Sequence, residues 1–508
     1  MSDIQIEQEK SQMQIDLELG IAVLLKKKPI LDVYFDYYDG NHRLKYNSQK
    51  LQDIFKDLHI SFTENWCAVV IDSVYQKVEL VNMNILTGEQ KETSNLIEDV
   101  MLRFKRWISG ESGPEEKDAV LTRLIEENEI LLDSDIVHEV AGIAGESYYM
   151  LESGEDGVEG YYNDPRNVHL FYRNDKPRVK RYAIKWWLDE KLRTWVRLYY
   201  TDFFWTWRTE DKVEGQFEVN KLVPVDEFGE KVGDGENAIE NEIGKLPVFQ
   251  FRPDRRVIKS DLKNVTQIQD VINKVLADML VSSEFTALPQ RFVISDVDIK
   301  GKLKNAPNEI WSLPGGDGAS QGTQVGQLQG SQPDSYLKVL DREVGSISAI
   351  TAVPHHYFFH NNNVPSGEAL IALEAPLNSK AGDRVEVFKP IWKDVVACMM
   401  EMEGKAVEKQ QIEIVFEAPE TIQPKTQSEI RQIDVNTGIP LVTVLRREGW
   451  SREEIDQMLI DKHEQGVSQN ATLAQALVRS QRDFSAGDDI DPGGEVIPTD
   501  PESEEPTE

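Results

Sequence analysis

Three histidines and three asparagines crowd into one short segment of the chain, between two prolines. Residues 353–368 read VPHHYFFHNNNVPSGE. Histidine is a common metal ligand, and two histidines four residues apart on a helix are able to share an ion. Pro354 and Pro365 oppose a regular helix here, and no cysteine or carboxylate lies among the histidines. The segment is therefore predicted to be a polar loop that lacks a local nucleophile or orienting acid.

The other motifs that carry chemistry are missing from the sequence. There is no GxxxxGK[ST] phosphate-binding loop, no GxSxG nucleophile elbow and no HExxH zinc motif. The glycine-rich run at 314–322, PGGDGASQG, has no lysine to hold a phosphate. The 89 carboxylates are scattered, so no acid–base pair stands out. We expect a protein that is not an enzyme, with no catalytic residue, cofactor or metal.

The charge balance excludes two classes of partner. The 508 residues include 89 acidic and 56 basic side chains, which gives a net charge of −33. Sequence-independent binding to nucleic acid, or to an anionic membrane surface, needs an excess of lysine and arginine.

Cys67 and Cys398 lie in apolar helical patterns and are predicted to be buried, reduced thiols. The run Ile21–Leu25 is too short for a signal peptide or a membrane span, so cytosolic synthesis is expected.

Helical periodicity predicts several long helices. One begins near Thr63, the expected N-cap, and a second covers 261–285 after Ser260. A third follows Pro333. The last runs from Gly367 to about Glu403 behind the expected N-cap Ser366, and its two interior prolines predict a bend.

Between these helices, period-two runs predict an antiparallel meander. The runs are RYAIKWWL at 181–188, TWVRLYY at 194–200 and FFWTWR at 203–208. Half of the tryptophans fall between Trp186 and Trp207. Such residues form either packed sheet faces or an aromatic platform for sugars or bases, and the packed face is the favoured interpretation.

The order of these segments resembles that of tailed-bacteriophage portal proteins of the siphophage type. The stretches that carry the resemblance span roughly 31–405, and their order is more specific than any one of them. They are YYDGNH at 37–42, NWCAVVIDSVYQKV at 65–78, the meander, KLPVFQFRPD with SDLKNVTQIQDVINKVLADML at 245–280, and VPSGEALIALEAPL at 364–377.

The resemblance implies a predominantly helical α+β portal fold with wing, stem, clip and crown. A peripheral N-terminal segment at 1–30 and a disordered acidic tail at 483–508 would flank it. The implied divisions are a wing at 31–255, stem helices at 256–286 and 334–350, a clip at 287–333, a tunnel loop at 351–366, a long bent wing helix and strand at 367–419, and crown helices at 420–482.

The resemblance also implies a function. About twelve copies would form a ring at one capsid vertex, through which double-stranded DNA is packaged and ejected. The implied partners are the capsid and scaffold proteins, the large terminase subunit and the head–tail adaptor proteins, without a membrane. The protein would be made in the host cytoplasm and reside in the virion. The residues of the tunnel loop that would line the DNA channel are His355, His356, Tyr357, His360, Asn361, Asn362 and Asn363.

Two alternatives stay open at this point. A metal-dependent hydrolase would use His355, His356 and His360. A structural or carbohydrate-binding protein unrelated to portals would use the tryptophan-rich sheet. Neither accounts for the paired helices, the bent helix and the missing catalytic motifs together.

Overall fold

The computed structural model describes most of the chain up to residue 447 and isolated positions beyond it. Two compact units, Met1–Ser428 and Glu429–Glu508, make up the chain, and each is described by itself. The described residues are 3–42, 63–85, 114–154, 157–212, 219–226, 228–233, 236–241, 243–287, 291–294, 324–327, 333–359, 366–419, 424–447, 450, 455, 457–458 and 461–462.

Helical residues outnumber strand residues in this part of the chain, and the two alternate, which confirms the predominantly helical α+β class. The helices are α1 (Asp3–Tyr38), α2 (Trp66–Tyr75), α3 (Pro114–Glu127), α4 (Ile130–Ala144), α5 (Thr266–Ala287), α6 (Pro333–Thr351), α7 (Gly367–Met402), α8 (Pro424–Asn436) and α9 (Leu441–Arg447). Helix α9 lies in the second unit, and α8 crosses the boundary between the units.

The described strands are antiparallel and form four sheets. Their orders are β1-β13, β10-β2-β3, β11-β12 and β4-β5-β6-β7-β8, with β9 also on β7. The strands are β1 (Leu80–Ile85), β2 (Ser147–Ser153), β3 (Val158–Asn163), β4 (Val168–Tyr172), β5 (Lys180–Leu188), β6 (Thr194–Tyr199), β7 (Phe203–Thr209), β8 (Leu222–Pro224), β9 (Ala238–Glu240), β10 (Val248–Phe251), β11 (Arg291–Ile294), β12 (Gln324–Gln327) and β13 (Ile412–Phe416).

The predicted meander is confirmed as β5, β6 and β7. Trp186 lies opposite Val196, and Val196 lies opposite Trp207, so one face of the sheet is continuous and apolar. That face packs on α1 as a separate core, so the packed-face interpretation holds for Trp186 and Trp207.

Helix α1 corrects the prediction of a peripheral segment at 1–30. Met13, Leu17, Ile21 and Leu24 recur at three- and four-residue steps and are buried against the meander. A Cβ atom at Gly20 would stand 2.7 Å from Ile184 Cδ1, so glycine permits the close approach of helix and sheet. The prediction failed because charged residues surround this narrow apolar stripe.

Two helix starts also differ from prediction, and long-range contacts explain both. Asn65, not Thr63, caps α2, because the Thr63 hydroxyl instead donates to the carbonyl of Gly40 at 3.4 Å. Helix α5 begins at Thr266 rather than 261. Ser260 Oγ accepts from the backbone N–H of Leu262 at 3.0 Å, and Tyr75 and Arg384 hold Asp261 in the turn that follows.

The main core surrounds the C-terminal half of α7. This half buries Phe388, Trp392 and Val396 among α2, α4 and the sheets. Cys67 and Cys398 are buried free thiols, as predicted. Helix α7 is continuous over 36 residues and contains Pro376 and Pro390. The predicted bend stays a prediction.

His138 on α4 is the buried polar group at the centre of this core. Its ring stacks on Phe388 with 4.8 Å between centroids and 5° between planes. Trp392 Nε1–H donates to its Nε2 at 2.9 Å, so the ring proton is on Nδ1, which donates to the Val78 carbonyl at 3.1 Å. Burial lowers the pKa of His138 to about 3, and the bond to Val78 opposes this shift only in part.

This buried histidine makes folding sensitive to acid. Below pH ~6.5 the unfolded chain binds a proton that the folded ring at position 138 rejects, so stability falls as the pH falls. The cost is about 1.4 kcal/mol per pH unit between the two pKa values. When the pH is lowered from 7.5 to 5.5, the free energy of unfolding measured in urea should fall by ~1.4 kcal/mol more for the wild type than for His138→Phe. Equal losses would contradict this role.

Candidate functional site

The loop that the sequence singled out follows a pair of packed helices. Helices α5 and α6 pack against each other, and α6 ends at Thr351. Ala352 then has a φ of 65°, in the left-handed region that favours glycine. Ser348 Oγ donates to the Val353 carbonyl at 2.7 Å, and Lys380 on α7 donates to the Thr351 carbonyl at 3.3 Å. The chain therefore leaves α6 in a fixed direction.

Residues His355–Tyr357 form a single 3₁₀ turn between α6 and α7. His355 Nε2 lies 3.4 Å from Asp341 Oδ1 on α6, and His356 Nε2 lies 3.9 Å from Glu374 Oε1 on α7. The Tyr357 hydroxyl donates to the same Glu374 carboxylate at 3.3 Å. Lys77, beyond α2, also pairs with Glu374 at 3.5 Å. All three loop residues are half-buried, so each combines an internal contact with an accessible surface.

The aromatic residues of the loop pack on Trp66, the first residue of α2. Phe358 and Phe359 both meet the Trp66 ring edge-on, each at 5.6 Å between centroids. Phe358 is buried, and His355 packs against Phe359 at 5.7 Å. The sequence indicated that these aromatic side chains pack against something, but it did not identify Trp66. Their burial anchors the base of the loop to the main core.

The far end of the loop is fixed by a helix cap. Ser366 Oγ accepts from the backbone N–H of Ala369 at 3.4 Å, which confirms the predicted N-cap of α7. Four of the predicted channel residues, with the two residues before Ser366, lie outside the described residues. The four are His360, Asn361, Asn362 and Asn363. The contact of the loop with DNA therefore stays a prediction.

The metal site and the aromatic platform that the sequence left open concern the loop histidines and the tryptophans of the meander. Within them, no group of three or more histidine, cysteine, aspartate or glutamate side chains is placed to hold a metal ion. His355 and His356 also face carboxylates on different helices. On the meander, Trp187 and Trp195 stack at 5.7 Å on the face away from α1, where Arg197 and Arg208 each cover one of the two rings.

The paired helices also expose apolar side chains that the sequence analysis did not single out. The exposed residues are Val271 on α5, Leu337, Val339 and Ile350 on α6, and Leu373 on α7. In the described part of the chain, none of the helices is long and apolar enough to span a bilayer. Of these exposed residues, Val339 and Ile350 are eleven positions apart and share one side of α6.

The strained residue Ala352 gives a direct test of the loop geometry. An L-residue in the left-handed region costs about 1–2 kcal/mol, part of which glycine relieves. Ala352→Gly should therefore raise the free energy of unfolding by ~0.5–1 kcal/mol. The matched control is Ala349→Gly, at an exposed position within α6. This change should lower the free energy of unfolding by about 0.5–1 kcal/mol. Destabilisation by both variants would contradict the left-handed conformation at 352.

One protein family matches the chain over most of its length. The family model is described as "Phage portal protein, SPP1 Gp6-like", and it matches residues 21–465. The match extends beyond the span 31–405 at both ends, and it includes residues 21–30 of the segment that the sequence analysis called peripheral. No curated protein matches the chain. The long match agrees with the paired helices, the anchored loop and the long helix after it, and the chain belongs to this family of phage portal proteins.

Proposed function

We propose that this protein forms the ring-shaped DNA channel at one vertex of a phage capsid. The observation that carries the proposal is the family match across residues 21–465. The described architecture supports it. Helices α5 and α6 serve as the stem, 287–333 as the clip, 351–366 as the tunnel loop and 420–482 as the crown. The wing then comprises 31–255 and 367–419, and α1 joins it because it packs on the meander.

The exposed apolar surface of the stem supports assembly into a ring. Val339 and Ile350 are 42% and 52% exposed, and they lie about three turns apart on one face of α6. The adjacent side of the helix, with Leu340, Val344 and Ile347, is buried in the chain's own core. In a closed ring of about twelve copies, each copy contacts the next head to tail through two different surfaces. The neighbouring copy then covers the exposed face of α6.

The anchored loop is suited to face the passing DNA. Its aromatic base, Phe358 and Phe359, packs on Trp66 at the start of α2. Asparagine and neutral histidine form weak, exchangeable hydrogen bonds with phosphate, and arginine would hold it firmly. We assign the channel surface to the loop residues His355, His356, Tyr357, His360, Asn361, Asn362 and Asn363.

The negative charge of the chain suits a channel through which DNA passes without binding tightly. A ring whose copies each carry a net charge of −33 repels phosphates, so DNA slides without being held. ATP hydrolysis then belongs to a separate motor protein, and the portal itself catalyses no reaction. The partners on this account are the capsid and scaffold proteins, the large terminase subunit and later the head–tail adaptor proteins. The mature location is the virion, after assembly in the host cytoplasm.

The stem surface generates the first test of this function. Native mass spectrometry of the full chain should give a closed ring of about twelve copies. The double variant Val339→Lys/Ile350→Lys places two charges on that surface and should shift the protein to monomers and small oligomers.

The control for the stem variant is Val179→Lys/Leu188→Lys. These positions are 43% and 59% exposed on the meander side of the chain, and the change in net charge is the same. The control should still form rings. Rings formed equally well by both double variants would contradict the assignment of α6 to the ring interface.

The loop generates the second test. Asn361, Asn362 and Asn363 changed together to lysine would add three charges per copy to the channel. Packaging and ejection should slow several-fold, and added salt should relieve the effect because phosphate contacts weaken with salt. A triple change to glutamine keeps the amide groups and should leave the rates near those of the wild type. Unchanged rates in the lysine variant would show that the loop does not contact DNA.

A further inference from the structure

A small cavity lies where α7 meets two of the sheets, away from the loop and the stem. Its volume is about 280 Å³. One wall comes from α7, and the others come from the start of β5, the β6–β7 turn, the segment before β10 and a 3₁₀ turn before β13. The lining residues are Lys180, Thr201, Gly244, Lys245, Leu246, Phe249, Asp394, Ala397, Cys398 and Lys409.

Two of the three lysines stand at the rim and already have partners. Lys409 Nζ lies 2.5 Å from Asp394 Oδ1, and Lys245 forms an ion pair with Glu401. Both lysine side chains are more than half exposed, at 61% and 57%. Ion pairs this exposed contribute little free energy, so these ammonium groups are free to turn towards a ligand.

The third lysine, Lys180, is less exposed than the other two and makes no direct contact with a carboxylate in the described part of the chain. Its ammonium is 4.0 Å from the centroid of the Phe249 ring and donates to the Leu246 carbonyl at 3.4 Å. Within the described residues it forms no ion pair. An ammonium group has three donors, so one long hydrogen bond and a ring face leave it poorly satisfied.

The remaining groups do not neutralise Lys180. Burial raises the pKa of the Cys398 thiol, so sulfur contributes no negative charge at neutral pH. Burial lowers the pKa of Lys180 to about 8, against the attraction of Asp394. A partly buried positive charge is costly unless it is paired. The cavity therefore presents a positive site that an anion would complete.

We propose that this cavity binds a small oxyanion of the phosphate type. Lys180 supplies the fixed charge at its floor, and Lys245 and Lys409 close over the anion from the rim. The volume admits one tetrahedral anion and a few waters. A recess of this size does not admit a duplex. The bound anion would tie α7 to both sheets and stabilise their junction, a role separate from the DNA channel.

Inorganic phosphate is the probe for this site. Calorimetric titration of the full-length protein at pH 7 and low ionic strength should show saturable binding. Lys180→Met should weaken binding about tenfold or more, as expected for loss of a charge-assisted hydrogen bond. The matched control is Lys191→Met, an exposed lysine between β5 and β6, which should bind phosphate like the wild type. Binding should also weaken at pH 9.5, where Lys180 loses its proton.

A second measurement does not depend on the folding of the variant. Lysine acetylation of the wild type, read by mass spectrometry, should slow at Lys180 when phosphate is present and stay unchanged at Lys191. Absence of phosphate binding by the wild type would overturn the proposal. So would equal weakening by both variants, or protection of Lys180 by duplex DNA but not by phosphate.

Discussion

Burial of the C-terminal half of α7 in the main core is the constraint on which the rest of the structure depends. Phe388 and Trp392 clamp His138 on α4, by stacking and by a hydrogen bond, at a site where the imidazole must stay neutral. With this half fixed, the N-terminal half of α7 carries the end of the loop at Ser366. The same helix presents Asp394 and Cys398 to the small cavity.

A partly buried charged cluster connects α7 to the paired helices. Arg384 on α7 donates to the Pro253 carbonyl at 2.7 Å and to Asp261 Oδ1 at 2.9 Å. The Tyr75 hydroxyl at the end of α2 donates to the other oxygen of Asp261 at 3.0 Å. These bonds fix the segment that leads into α5. Trp66, at the start of α2, packs against the loop aromatics, so one set of contacts orients the paired helices, the loop and α7 together.

Local sequence patterns predicted the helices and strands better than they predicted the contacts between them. Period-two alternation identified the meander, and the cap at Ser366 marked the start of α7. The apolar stripe Met13–Leu24 was missed because its apolar residues are sparse. Its role is evident only from its packing on the meander. A break between the third and fourth predicted helices was also expected, and α6 ends at Thr351 and α7 begins at Gly367. Its anchor at Trp66 and the unbalanced charge at Lys180 depend on residues far apart in sequence, and a single sequence does not bring these together.

The most direct test of the channel is a cryo-electron microscopy map of the assembled full-length protein. The account predicts a closed ring in which residues 353–366 form the narrowest part of the central hole, with α5 and α6 around it. A ring whose narrowest part is built by another segment, with 353–366 on the outer surface, would contradict the account.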